Sequence, residues 1–419
     1  MNIINKVKNR SSSIFSILDQ GVISGTSFLL AFLLGLFLSP NEYGAYSLSL
    51  SVLMFINGIQ TALSTTPLNV KGARLEGTDL VLYFQTLFKS HLLYGITVSF
   101  IIVIALPIIK AFGSGSQLLS PFLGLGIAFF VIQLQEFLRR LLYFTMKTKK
   151  VFFIDLLSSS ITIMVVLGFN YVGVLKGSTV YMAIAIGNII GILCFYMVLR
   201  RIFKDIFSFN LQAGFLTIKE NLIYGKWLLG SHIFYWIGNQ SYLFASSIYL
   251  SMSVTAKIAI TQNLVNAVNI MVMGIQNIAM PIASKKLQQN GIQSLKKYIN
   301  KLLLLILLFV GSYGIILSLY GENIISILYN GKYHQVQQLM VLWSISFLIA
   351  SLNRIFMIFL NTILKNKINF YIYLFNALLS MILIVPITKF FGANGMAIWT
   401  IVSGVVMFVM NLIVFLKKD

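Results

Sequence analysis

The side chains able to do chemistry in this chain are few, and they fall into groups. Four amides, Gln262, Asn266, Asn269 and Gln276, recur along one apolar stretch, and at 100° per residue they lie within an arc of about 80°. Amides donate and accept hydrogen bonds, so a stripe of them either solvates a hydroxyl-rich ligand in a wet cavity or bonds helices to one another. The first reading is preferred here, because four amides share one face. Three cations, Arg140, Arg354 and Lys226, stand at the ends of apolar runs. The Arg fork matches phosphate oxygens, so one role for them is to hold a diphosphate. The other is to anchor topology by snorkelling to the interface, and Glu136, four residues before Arg140, favours an intrahelical pair. Asp19 lies about 9 Å into its apolar run at 1.5 Å per residue, and Asp155 sits near the start of another. Carboxylates at such depth are candidates for a protonatable or cation-binding pair, or are polar interfacial residues. His91, His232 and His334 are too scattered to suggest a metal site. No phosphate loop, zinc spacing or nucleophile motif is present, so neither enzymatic catalysis nor a cofactor is expected.

The elements that carry these residues follow from composition. Of 419 residues, 58% are hydrophobic and 10% charged, against roughly 25% charged in a soluble domain. A span needs about 20 mostly apolar residues to cross a bilayer core, and the chain is a near-continuous series of such runs, as expected of a polytopic membrane protein. They centre on 14–38, 43–68, 84–109, 118–142, 151–174 and 178–199, then 222–250, 255–283, 299–320, 336–360, 369–391 and 395–416. The first run carries Asp19 and is followed by no small-residue cleavage site, so it reads as a retained helix and not a signal peptide. The net charge of +21 points to membrane topology and not to nucleic acid. Lys110, Lys176, Lys257, Lys332 and Lys389 fall on one side, and the other 26 of the 31 Lys and Arg residues on the opposite one. Because cytoplasmic loops accumulate Lys and Arg, both termini are expected in the cytoplasm. The single Cys194 excludes an internal disulfide.

The chain also repeats itself. Ser253 to Pro281 lies over Ser39 to Pro67 without a gap, and the same offset of 214 residues brings Arg139-Arg140 onto Asn353-Arg354 and Ala183 onto Ala397. A basic segment, 200–220, separates an N-terminal six-helix lobe, 1–199, from a C-terminal one, 221–419. The expected fold is therefore an all-α membrane protein of about twelve transmembrane helices. Its two six-helix lobes would be related by a pseudo-twofold axis along the membrane normal, with the substrate path between them. The repeat is imperfect in chemistry. The polar residues of the second run, Asn57, Thr61 and Ser64, align with Met271, Ile275 and Ile278, on the face opposite the amides.

Five stretches together resemble the polysaccharide-transporter family: LSPNEYGAYSLSLSV, YGKWLLGSHIFYWIGNQ, NIAMPIASKKLQQNG, ISILYNGKYHQVQQLMVLW and FFGANGMAIWTIVSG. These are the Wzx-type oligosaccharide flippases of the multidrug/oligosaccharidyl-lipid/polysaccharide (MOP) exporter superfamily. The resemblance implies two lobes forming a V around a central cavity. It also implies alternating access for an undecaprenyl-diphosphate-linked oligosaccharide at the bacterial inner membrane, in O-antigen, lipopolysaccharide or capsule biosynthesis. Expected partners are that lipid-linked glycan, membrane lipids, H+ or Na+, and a polysaccharide polymerase with its chain-length regulator. Two departures stand out. Where relatives carry an Asp-Arg pair in the seventh span, this chain has Asn239, Gln240, Ser241 and Tyr242, and it has Lys257 where they have a small or apolar residue.

On this reading Arg140, Arg354 and Lys226 receive the diphosphate, and Gln262, Asn266, Asn269 and Gln276 solvate the sugar. Two alternatives are set beside it. A cation-coupled multidrug exporter of the same superfamily would use Asp19 and Asp155. A membrane-embedded glycan polymerase or ligase would need a large outer loop, and the longest one expected, Tyr320 to Gln335, has only about sixteen residues.

Overall fold

In hydrocarbon no water satisfies backbone N–H and C=O groups, so an apolar run folds as a helix, which pairs them internally. The computed structural model describes residues 2–111, 115–199, 211–363 and 366–416, and among these the chain is helical almost throughout with no strand. The helices are α1 (Asn2–Phe37), α2 (Pro40–Gln60), α3 (Thr66–Lys71), α4 (Gly77–Ile104), α5 (Leu106–Ala111), α6 (Gly115–Phe144) and α7 (Thr148–Tyr171). They continue with α8 (Gly177–Leu199), α9 (Leu211–Tyr249), α10 (Met252–Val265), α11 (Asn269–Leu328), α12 (Gln337–Thr362) and α13 (Asn366–Leu416). Nine helical stretches among the described residues are long and apolar enough to cross a membrane. Two of these contain a break, at Gly291 in α11 and at Gly392 in α13. Dividing them there and adding α9 gives twelve helical segments.

The chain divides into two compact units, Met1–Leu30 with Leu48–Leu229, and Ala31–Ser47 with Gly230–Asp419. Of the basic segment 200–220, residues 200–210 lie outside the described residues, and Leu211–Glu220 form the first turns of α9.

In the first unit α6 packs against α4, α5 and α8, and α7 packs against α8. Leu87, Phe137, Leu141, Leu142, Val151 and Phe195 form a buried cluster. Lipid is as apolar as these side chains, so close backbone approach matters more than apolar burial. Gly187 on α8 provides it: a Cβ there would lie 2.1 Å from the Thr162 Oγ1 and 2.6 Å from the Ser158 carbonyl on α7.

In the second unit α12 packs against α10, α11 and α13. Ala31–Ser47 belongs to this unit because a loop distant in sequence grips it. The Lys332 ammonium donates to the carbonyls of Gly35 (3.2 Å), Leu36 (3.1 Å) and Leu38, at the end of α1. A cation there satisfies carbonyls that the helix leaves unpaired. The Asn263 amide donates to the Tyr43 hydroxyl at 2.5 Å in the same unit.

The two aligned segments differ in local geometry. In the first copy a π-turn, Thr61–Thr65, precedes Pro67. Proline removes a helix donor and crowds the preceding turn, which the wider turn accommodates. In the second copy Pro281 sits inside α11, and the irregularity comes earlier, as a 3₁₀ turn at Asn266–Val268.

Candidate functional site

The first unit gathers charge around Arg139. This guanidinium is almost buried and donates from Nε to the Asp155 carboxylate (2.6 Å) and from Nη2 to that of Asp19 (2.8 Å). A third bond runs from Nη1 to Glu136 at 3.2 Å, one turn away on α6. The Tyr143 hydroxyl also donates to Asp19. Asp19 and Asp155 are fully buried, and the second oxygen of each meets no donor among the described residues. Arg140 points elsewhere: its side chain is 41% exposed, and its Nε donates to Glu136 at 2.6 Å. By formal charge three carboxylates stand against two guanidiniums, so one proton or one monovalent cation would bring the cluster to neutrality.

The second unit handles its cation differently. Arg354, on α12, is half-buried and donates through Nη1 to the Asn269 side-chain carbonyl. No carboxylate pairs with it among the described residues. The reason is in the sequence: from residue 221 onward the only acidic residues are Glu322 and Asp419. Arg354 lines a cleft of about 590 Å³ together with Gln276, Pro281 and Ser284 from α11 and Met357 and Asn361 from α12. Beside it, the buried Asn353 donates to the Gly404 carbonyl (2.9 Å) and accepts from Asn411 (3.1 Å), closing a neutral network. A guanidinium with no carboxylate partner, in a cleft edged by amides and a hydroxyl, is equipped to bind an anion with a hydroxylated neighbour.

The structure thus brings Asn269, Gln276 and Arg354 together, and joins Asp19 to Asp155 through Arg139. It gives the four amides separate surroundings. Gln262 donates to the buried Tyr242 hydroxyl at 2.5 Å, Asn266 is exposed, Asn269 holds Arg354 and Gln276 lines the cleft. The 3₁₀ turn advances about 120° per residue where an α-helix advances 100°, so it rewinds the stripe by roughly 60° between Asn266 and Asn269. Lys226, on α9 in the first unit, is exposed and has no ion pair among the described residues. His91 is buried, stacked on Phe137 at 4.7 Å and bonded to the Gln133 carbonyl at 2.9 Å, which is a packing role.

Several functional candidates are missed by sequence reasoning, namely Arg139, Tyr143, Ser284 and Asn361. The signal for Arg139 was available. Two carboxylates buried in spans require a cation, and Arg140 was already matched with Glu136, which leaves its neighbour. For Ser284 and Asn361, single polar residues at span ends, no such signal exists.

Comparison with known proteins places this geometry in a family. No curated protein matches the chain in sequence at a significant level. Among solved structures, a MATE family multidrug resistance transporter of the MOP superfamily in its inward-facing conformation aligns with TM-score 0.74 and 13% identity, over 96% of this chain and 94% of the other. The lipid II flippase MurJ in an inward closed conformation aligns with TM-score 0.73 and 12% identity, over 97% and 88%. The eukaryotic MATE transporter AtDTX14 gives 0.68 and 15%, over 98% and 97%. At these identities the likeness establishes a shared all-α transporter fold. The family model described as polysaccharide biosynthesis protein matches residues 33–338, and the chain therefore belongs to the polysaccharide biosynthesis protein family of multi-pass membrane proteins, with the fold of the MOP-superfamily transporters.

Proposed function

We propose that the protein is a flippase that carries an undecaprenyl-diphosphate-linked oligosaccharide across the bacterial inner membrane by alternating access between two six-helix lobes, with both termini cytoplasmic. The observation that carries this reading is the cleft around Arg354. It offers one guanidinium without a carboxylate partner, bordered by Asn269, Gln276, Ser284 and Asn361. Arg354 takes the diphosphate, whose oxygens fit the guanidinium fork, and the amides meet the first sugar hydroxyls. The prenyl tail stays in lipid. Arg140, whose charge Glu136 already balances, and the exposed Lys226 contribute to the approach of the anionic substrate. Gln262 and Asn266 extend the amide path beyond the cleft.

The Arg139 cluster supplies the coupling. Its single uncompensated negative charge is met by H+ or Na+, and exchange of that cation alters the packing of Asp19 on α1 against Asp155 on α7. A polymerase and a chain-length regulator are the expected downstream partners.

Deleting the gene and complementing it with Arg354→Ala is the direct test. Loss of surface polysaccharide at unchanged protein level, with lipid-linked repeat units left in the inner leaflet, is expected. Normal polysaccharide in the variant removes Arg354 from the mechanism, and accumulation in the outer leaflet favours a polymerase. The likeness to MATE transporters keeps a drug exporter as the second reading. That reading requires the deletion strain to become drug-susceptible. The excess of Lys and Arg, 31 against 10 Asp and Glu, weighs against it, because a strongly basic chain disfavours a cationic substrate.

A further inference from the structure

The second unit carries another cleft, at the opposite ends of the helices that line the Arg354 cleft. Its polar part, of about 520 Å³, is bordered by Lys257, Glu322, Gln335, Gln337, Gln338 and Asn394. On α12, Gln338 stands sixteen residues before Arg354, roughly 24 Å away at 1.5 Å per residue. The Lys and Arg asymmetry assigns this end to the outside. From the polar cleft an apolar groove of about 390 Å³ continues along α12 and α13, lined by Val341, Leu342 and Ile398. The two share Gln338, Phe391 and Asn394.

The walls are built around two special backbone points. Gln335 is held in the left-handed region at φ 57°, and its N–H donates to Glu322 Oε1 at 2.7 Å. A non-glycine residue held there costs free energy, and such residues cluster at ligand clamps. Opposite, Gly392 at φ 58° breaks α13 and turns Phe391, Ala393 and Asn394 toward the cleft. The Asn394 amide donates to Gln338 Oε1 at 2.8 Å, and Glu322 N–H to Gln337 Oε1 at 3.0 Å, so these amides are oriented before any ligand arrives. Donors and acceptors are left over. Among the described residues the Gln335 side chain, the Gln338 amide nitrogen and the Lys257 ammonium have no partner. Lys257 also has no ion pair, although Glu322 borders the same cleft.

We infer that this composite cleft is a second binding site for the lipid-linked oligosaccharide, used on the exit side. The sugar occupies the amide-rich cleft, Lys257 attracts the phosphate, and the prenyl chain lies in the groove between α12 and α13. A ligand with a large hydroxylated head and a long apolar tail is the one that uses both parts at once. A polar cleft of this volume is in the range of ligand sites, and it opens onto a groove that water alone would fill poorly. The inference rests on the flippase reading and adds a site to it, leaving the Arg354 cleft as the place of first capture.

The test is native mass spectrometry of the full chain in lipid nanodiscs. It is incubated in turn with lipid-linked repeat units extracted from the deletion strain, with undecaprenyl diphosphate and with phosphatidylglycerol. In a chain that already carries Arg354→Ala, so that the cleft of first capture does not contribute, the double variant Gln338→Ala, Asn394→Ala should retain at least fivefold less of the lipid-linked repeat unit and as much undecaprenyl diphosphate as the Arg354→Ala chain. Leu342→Gln in the groove should lower retention of both. Unaltered undecaprenyl diphosphate binding by the double variant shows that it is folded. Unchanged retention of the repeat unit overturns the inference, and so does an equal loss of phosphatidylglycerol, which would mark a general lipid site. A deletion strain with normal surface polysaccharide removes the flippase reading, and this one with it. Abnormal polysaccharide together with unchanged retention removes only the exit site.

Discussion

In the first unit Arg139 is closed in by Asp19, Glu136 and Asp155, whereas in the second unit the aligned pair Asn353-Arg354 meets amides and backbone carbonyls. The offset of 214 residues sets Arg139 against Asn353, Arg140 against Arg354 and Glu136 against Ala350. The first unit therefore buries a cation and satisfies it; the second replaces the buried cation with a neutral amide and leaves its neighbour without a counter-charge. One copy has become a buried cluster of three carboxylates around two guanidiniums. The other leaves an arginine with no carboxylate partner among the described residues, which under the proposed function receives the diphosphate. The lesson is that a repeat conserves helix positions more readily than it conserves electrostatics, because one carboxylate four residues away decides whether an arginine is available to a ligand.

The largest effect should come from Arg139. Arg139→Ala leaves Asp19 and Asp155 as buried carboxylates without a cation, and breaking such a pair costs about 3–5 kcal/mol. A marked fall in the thermal midpoint of the detergent-purified protein is expected, partly restored by adding Asp19→Asn. A midpoint equal to that of the unaltered chain would show that the cluster does not hold the first unit together.

Arg354→Ala should come next, lowering surface polysaccharide at least tenfold with little change in thermal midpoint, and Arg354→Lys should restore only part of it because an ammonium lacks the fork. The comparison is sharpened by Ala350→Glu, which gives Arg354 the counter-charge that Arg140 has. Transport should fall several-fold although Arg354 is intact, and a wild-type level would mean that the absence of a carboxylate at Arg354 is incidental.

Asn269→Ala removes the only side-chain acceptor bonded to Arg354 among the described residues. A loss of about fivefold in transport corresponds to a hydrogen bond worth roughly 1 kcal/mol, checked by the same polysaccharide assay. The smallest effect belongs to Arg140→Ala, since Glu136 retains Arg139 as partner. If that variant transports as poorly as Arg354→Ala, the two arginines are equivalent and the contrast between the units fails.

Much of this was legible before the structure. The helical spans, the breaks between expected spans eight and nine and between eleven and twelve, and the Glu136–Arg140 pair follow from composition and spacing. Other features were hidden for physical reasons. The amide stripe assumed a uniform 100° per residue, and the 3₁₀ turn at Asn266 changes that rotation through backbone hydrogen bonding that residue types do not announce. Likewise Gln262 shares the stripe with its neighbours in sequence, yet Tyr242, twenty residues away on α9, takes its amide.

By itself the sequence determined that the chain is a multi-pass helical membrane protein, because apolar runs in lipid have one way to satisfy their backbones. It also determined that acidic residues would be scarce in the second half, so that Arg354 could find few counter-charges there. Only the tertiary structure decided which arginine is consumed. Adjacent residues on a helix point about 100° apart, so of Arg139 and Arg140 it is the packing of α1 and α7 against α6 that selected the first to face Asp19 and Asp155. The same holds for the Arg354 cleft, whose walls come from segments about 75 residues apart and meet only when α11 and α12 pack together.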